Sequence, residues 1–202
     1  MTKCIIFDVD GVLADACSIH RDCFEMALFQ CVGDAARDEA VSARERLEGL
    51  PSRVKLQVLG VPFENHLSVL NEKQRLTLEA ALQYPRDEGR IQMLASLQSK
   101  GIAIRAYTNA VRHTAETFLR SAGLLPYIEH LVTNEDVTKP KPSPEGYFKA
   151  MGSFKNGPEG WWSASYTPEE CLIVEDSEVG LQAARATGAL VLKTTFETLD
   201  LR

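Results

Sequence analysis

No stretch of about eighteen apolar residues occurs in this 202-residue chain, so no segment reads as a transmembrane helix. Basic residues are in the minority, 22 Lys and Arg against 28 Asp and Glu, and the formal net charge is -6. That balance argues against general affinity for nucleic acid or an anionic membrane, which need a basic surface. It leaves open a small anionic ligand held by a few local cations or a metal ion. Cysteine is sparse and unpaired: the five residues, Cys4, Cys17, Cys23, Cys31 and Cys171, form no C-x-x-C motif and are odd in number. Reduced thiols fit that pattern better than a disulfide framework. The opening Met-Thr-Lys-Cys-Ile-Ile-Phe turns acidic at once and is not read as a signal peptide. There is no internal repeat and no low-complexity tract. The expected setting is cytoplasmic, with the oligomeric state open.

What is present is ordinary globular composition, 45% hydrophobic and 25% charged, with punctuated apolar runs. Cys4 to Phe7, Ile102 to Tyr107, His130 to Val132, Cys171 to Val174 and Ala189 to Leu192 read as strands. Their hydrophobicity is continuous rather than alternating, as a parallel sheet covered on both faces requires. Helical patterns lie between them: Glu88 to Lys100 before Gly101, His113 to Ala122 before Gly123, and Ser177 to Thr187 before Gly188. From about residue 86 onward this alternation predicts a doubly wound α/β domain. Residues 15–85 break the rhythm. Helix-compatible pieces at 18–31, 35–47, 51–59 and 64–83, with no strand among them, predict an all-helical insert after the first strand. The expected division is therefore 1–14 with 86–202 as the α/β core, and 15–85 as a helical domain. A Gly-, Ser- and Pro-rich loop at 152–168 carries Trp161 and Trp162, readable as an interface or as a local packing cluster.

Four pieces of chemistry sit at predicted strand ends. In Phe7-Asp8-Val9-Asp10-Gly11-Val12 the two acids are two apart, so on a strand they leave the sheet on one side, beyond its carboxyl end. Carboxylates so close repel unless a cation lies between them or one takes a proton, and hard oxygen ligands suit Mg²⁺. Tyr107-Thr108-Asn109 ends the second strand before a helix, where a hydroxyl beside free N–H groups is a phosphate contact. Lys139-Pro140-Lys141-Pro142-Ser143-Pro144-Glu145 holds Lys141 between two prolines on a stiff, extended backbone. Val174-Glu175-Asp176-Ser177 closes an apolar strand with two more acids, able to complete a metal site. Each has an ordinary structural reading: a solvated turn, a helix cap, an exposed loop, an acidic helix start. Together they place a nucleophile, an acid, a hydroxyl, a lysine and metal ligands around one crevice.

This pattern resembles the haloacid dehalogenase-like hydrolase superfamily, in its phosphatase and β-phosphoglucomutase-like branch with a helical cap. Asp8 and Asp10 match the first motif and Thr108 the second. Asp136-Val137 with Lys141-Pro142-Ser143-Pro144-Glu145-Gly146-Tyr147 matches the third, and Glu175-Asp176-Ser177 with Gly180 the fourth. The resemblance implies a Rossmann-like core and an aspartyl-phosphate formed on Asp8, with Asp10 as general acid and base. It also implies Mg²⁺ held by Asp8, the Asp10 carbonyl and Asp176, with Glu175 nearby. Thr108, the backbone around Asn109, and Lys141 would grip the phosphoryl oxygens. The insert would be a cap, with Asp15, His20 and Arg53 as candidate substrate contacts; Lys73 reads more readily as a solvated surface charge. Dehalogenases of the superfamily lack the second acid, so Asp10 points away from dehalogenation. The chain stops soon after its fifth strand, where relatives carry a further strand or helix. The expected activity is hydrolysis of a small phosphorylated metabolite, such as a sugar phosphate. The alternatives are a phosphomutase and a non-catalytic binding module.

Overall fold

A computed structural model describes residues 1–47, 50–152 and 166–201. The Trp161-Trp162 loop lies outside the described residues. The chain forms two compact units, Met1–Asp15 with Tyr84–Arg202, and Ala16–Gln83.

The first unit is built on five parallel strands: β1 (Cys4–Phe7), β2 (Ala103–Tyr107), β3 (His130–Val132), β4 (Cys171–Glu175) and β5 (Leu190–Lys193). Their spatial order is β3-β2-β1-β4-β5. β1 lies between β2 and β4, with Cys4 opposite both Ala103 and Cys171 and Phe7 opposite both Ala106 and Val174. The continuous apolar runs are explained by the layers on either face. Ile5, Phe7, Ile104 and Ala106 pack with α6 (Glu88–Ser99) and α7 (Arg112–Ser121), through Leu94, Leu97, Ala115 and Leu119. Cys4, Ile6, Ala103, Tyr107, Cys171 and Ile173 turn the other way. They pack with α8 (Glu145–Ala150) and α9 (Glu178–Arg185) through Tyr147, Ala150, Ala183 and Ala184. The chain adds β2 and β3 on one side of β1, then crosses to add β4 and β5 on the other. The strand order therefore reverses between β1 and β4, and ligands of such sheets bind beyond the strand ends at that switch.

The second unit is helical: α1 (Cys17–Cys31), α2 (Asp34–Ser42), α3 (Arg44–Leu47), α4 (Ser52–Val58) and α5 (Phe63–Leu82). Its own core contains Phe24, Leu28, Leu47, Leu56 and Val69. The sequence predicts one helix over 35–47, but the chain breaks at Ala43 (φ -98, ψ 10). No Gly or Pro marks that break. It aims Arg44 at Glu25 of α1, which it meets with two bonds of 2.7 Å.

Candidate active site

Asp8 follows β1 directly, and its amide donates to the Val174 carbonyl at 2.9 Å, extending the ladder one residue past the strand. Its side chain falls on the α8/α9 face and is buried. The chain then folds back on itself: the Leu13 and Ala14 amides both donate to the Val9 carbonyl, at 3.0 and 2.8 Å. Gly11, at φ 92, takes a left-handed conformation in this turn that a Cβ would strain. Asp10 sits at the turn's entrance. Its Oδ2 accepts a 3.0 Å bond from the Thr108 hydroxyl, which itself accepts from the Ala110 amide at 2.9 Å. The hydroxyl that the sequence assigns to phosphate thus holds the second acid in this structure.

Lys141 is buried, and its ammonium donates to Asp8 Oδ1 and to Glu175 Oε1. Glu175, the last residue of β4, has no exposed surface and is fully occupied. Its Oε1 also accepts from the Tyr147 hydroxyl at 2.8 Å. Its Oε2 accepts from the Asp176 amide, the Ser177 amide and the Ser177 hydroxyl at 3.0, 3.1 and 3.2 Å. Five donors use all the roughly four lone-pair directions of a carboxylate. The carboxylate fits because α9 offers Gly180 there: a Cβ at that position would lie 1.7 Å from Glu175 Oε1.

The loop carrying Lys141 is held from several sides. The Glu145 carboxylate accepts from the Thr138 and Lys139 amides, each at 2.9 Å. Asn109 Oδ1 accepts from the Lys141 amide at 3.1 Å, and its Nδ2 reaches the Lys141 carbonyl at 3.5 Å. Asp136 anchors the start of the loop, accepting from the Thr133 amide and hydroxyl and from Arg112. The resemblance points to the backbone around Asn109 as a phosphate contact; the Asn109 side chain braces the lysine loop. Tyr107, Tyr147 and Glu145 were given no role from sequence, although Glu145-Gly146-Tyr147 lies inside the recognised third motif.

The Lys141 ammonium is thus shared by Asp8 and Glu175, with Asp10 acting on Asp8 and Asp176 standing next to Glu175. Burial opposes the charge of Lys141, yet Asp8, Tyr147 and Glu175 around it hold its pKa well above the ordinary lysine value. Burial likewise opposes charge on Glu175, but Lys141 and the Tyr147 and Ser177 donors outweigh it and keep its pKa low. Asp8 goes the other way: burial, with Glu175 and Asp10 adding to it, lifts it well above the carboxylate range against the pull of Lys141. Asp176 is pushed up to about 6 by burial and by Glu175. Two acids raised together mark a site short of positive charge. One oxygen each from Asp8, Glu175 and Asp176 lies within 4.8 Å of the others. An all-oxygen donor set with surplus negative charge fits a hard divalent cation.

The remaining sequence candidates lie elsewhere in the chain. Asp15 is the last residue of the α/β unit before the insert, and its amide donates to the Tyr84 hydroxyl at 2.7 Å, where the chain returns. His20 (α1) and Arg53 (α4) belong to the helical unit, Arg53 with its side chain exposed. Lys73 is half-buried rather than fully solvated, and its ammonium lies 3.2 Å from His20 Nδ1. No helix among the described residues is long and apolar enough to cross a membrane.

A doubly wound parallel sheet with an acid pair at its switch point and a lysine bridging two strand ends defines a class of phosphoryl-transfer hydrolases. The family model for haloacid dehalogenase-like hydrolases matches residues 2–188, and the chain belongs to that family. Hydrolases of this family generally use a divalent metal ion. The chain is 26% identical over 199 residues to validoxylamine A 7'-phosphate phosphatase of Streptomyces hygroscopicus subsp. limoneus, covering 96% of this chain and 86% of that protein. It is 25% identical over 190 residues to the phosphorylated carbohydrates phosphatase of Thermotoga maritima, with 92% and 82% covered. Among solved structures, β-phosphoglucomutase of Clostridium difficile shares the fold at a TM-score of 0.72 and 18% identity, covering 98% of this chain and 93% of that one.

Proposed function

We propose that this protein is a Mg²⁺-dependent phosphatase of a small phosphorylated metabolite, a sugar phosphate or a close analogue, working through a phosphoryl group carried on Asp8. The observation that carries the reading is the pairing of two acids in different settings. Asp8 is buried against Lys141, as a nucleophile held in place would be, while Asp10, two residues on, is held by the Thr108 hydroxyl. The relatives named as phosphatases of phosphorylated carbohydrate and of validoxylamine 7'-phosphate support the substrate class.

In the first step an Asp8 oxygen forms a bond to phosphorus as the ester P–O bond breaks, and Asp10 gives its proton to the departing alkoxide. In the second, Asp10 takes a proton from water, whose oxygen bonds to phosphorus and releases Asp8 and inorganic phosphate. Such acid–base help is worth about 10²–10⁴-fold. Lys141 offsets the negative charge brought together when Asp8 approaches the phosphoryl group. Thr108 would exchange its bond to Asp10 for one to a phosphoryl oxygen.

Asp8, the Asp10 carbonyl and Asp176 would hold the Mg²⁺, with saturated Glu175 serving to hold Lys141. The ion would supply charge neutralisation between carboxylate and phosphate. We assign the helical unit the part of a cap that excludes bulk water, with His20 and Arg53 as its candidate substrate contacts and Asp15 as the one at its entrance. The five cysteines, odd in number and without a C-x-x-C motif, fit a reducing, cytoplasmic setting. A phosphomutase is the second reading, suggested by the spacing from Asp8 to His20 and by Arg53.

The test is phosphate release from a panel of phosphorylated metabolites, with Mg²⁺ or with EDTA, for the wild type and Asp8→Asn. We expect metal-dependent release that falls by about 10³-fold or more in the variant. Unchanged turnover in Asp8→Asn would remove Asp8 as nucleophile. No release from any ester, together with bisphosphate-dependent isomerisation of a sugar phosphate, would establish the mutase instead.

A further inference from the structure

We infer that Tyr107 and Tyr147 form an aromatic cradle that positions the Lys141 ammonium between Asp8 and Glu175. The consequence for turnover rests on the phosphoryl-transfer reading above; the cradle itself does not. Tyr107 is the last residue of β2 and Tyr147 lies in the first turn of α8, and neither ring has any exposed surface. The rings meet edge to face, with centroids 5.0 Å apart at 90°. Lys141 Nζ lies 4.9 Å from the centroid of Tyr107 and 5.2 Å from that of Tyr147. Both distances are within cation–π range, and the attraction is strongest when, as here, the cation is desolvated.

Each ring is also tied to a group that holds the lysine by another route. The Tyr147 hydroxyl donates to Glu175 Oε1, the oxygen that receives the ammonium. The Tyr107 hydroxyl donates at 3.4 Å to Asn109 Oδ1, the oxygen that receives the Lys141 amide. Side chain and backbone of Lys141 are therefore braced through the same two tyrosines. Gly146 makes the arrangement possible: a Cβ there would lie 2.0 Å from Tyr107 Cζ, so any side chain would evict the ring. The lysine, the glycine and one tyrosine belong to a single run, Lys141-Pro142-Ser143-Pro144-Glu145-Gly146-Tyr147. A lysine side chain has a flexible four-carbon stem, and two ring faces restrict where its charge can go. These are positioning residues; neither is assigned contact with the reacting atoms.

The test compares Tyr107→Phe, Tyr147→Phe, Tyr107→Leu and Tyr147→Leu in the full chain. In protein labelled with ¹³C,¹⁵N-lysine, Lys141→Met identifies the Lys141 side-chain signal by its loss. In the wild type that signal is shifted upfield by the two rings. The Phe variants retain the shift, and the Leu variants move it toward that of a solvated lysine. Turnover is followed on the best ester of the panel. The Leu variants lose about tenfold in kcat with KM little changed. The Phe variants lose about threefold at most, since each forfeits one hydrogen bond but keeps the ring face.

A Lys141 signal without an upfield shift in the wild type overturns the cradle, whether or not the Leu variants fold. So does a shift that persists in folded Leu variants, or Phe variants damaged as severely as Leu. If the signals respond as expected but the wild type releases phosphate from no ester, the cradle stands and the reading of the reaction falls.

Discussion

Glu175 receives five hydrogen bonds in a space closed on one side by a glycine, and that makes Gly180 the most sensitive small residue near the site. A methyl group there would lie 1.7 Å from Glu175 Oε1, and the carboxylate has no free rotamer to retreat to without breaking bonds to Lys141 and Tyr147. Gly180 lies on α9, where alanine ordinarily favours a helix over glycine by about 1 kcal/mol. Overpacking at such a site costs about 1–3 kcal/mol, so the steric term decides the sign. We expect Gly180→Ala to lower the melting temperature and to reduce turnover; an alanine variant as stable and active as the wild type would mean that Glu175 is not fixed as described. At this scale the sequence was legible where a residue type carries the chemistry. Asp8, Asp10, Glu175 and Asp176 stand out by strand-end position and charge and Lys141 by its flanking prolines and third-motif match, and Asp8, Lys141 and Glu175 meet in the structure. The sequence did not disclose that Glu175 is saturated, that Thr108 holds Asp10, or that Lys73 meets His20. Apart from the bonds Glu175 makes to Asp176 and Ser177, those pairings close between residues 28 or more apart, and propensity carries no information about them.

The elements divide into two units with separate cores, and a local core lesson can be tested in one without touching the other. Leu56 of α4 has no exposed surface and packs in the cluster of Phe24, Leu28, Leu47 and Val69. Leu56→Ala removes that packing and leaves a cavity, a change that costs about 2–5 kcal/mol. We expect amide exchange to accelerate across 16–83 while β1, β2 and β4 keep their protection, as measured by hydrogen–deuterium exchange with mass spectrometry. Equal loss in both units would show that they unfold as one. The strands were legible as elements because each is an uninterrupted apolar run, the imprint of helices on both faces. The break at Ala43 was not, because nothing local interrupts the helix there; the ion pair from Arg44 to Glu25, on another helix, accompanies it.

At the scale of the whole molecule the chain carries a net charge of -6, and two of its acids, Asp8 and Glu175, share one buried lysine with Asp10 and Asp176 beside them. Folding brings that repulsion together, so a cation that binds the folded site and not the unfolded chain must stabilise the protein. At a free Mg²⁺ concentration of about one hundred times its dissociation constant the gain is about 2.7 kcal/mol. For a chain of this size that raises the melting temperature by about 5–10 °C. General screening of the net charge would also help, so the comparison is with NaCl at equal ionic strength, which lacks site-specific binding. We expect Mg²⁺ to raise the transition well beyond the NaCl control, and Asp176→Asn to abolish the difference. If calorimetry resolves two transitions, the one that moves is that of the α/β unit, which carries Asp8 and Asp176, while the helical unit's stays put. A shift reproduced in full by NaCl, or retained in Asp176→Asn, would remove Asp176 from the metal site and return the surplus charge to ordinary surface electrostatics.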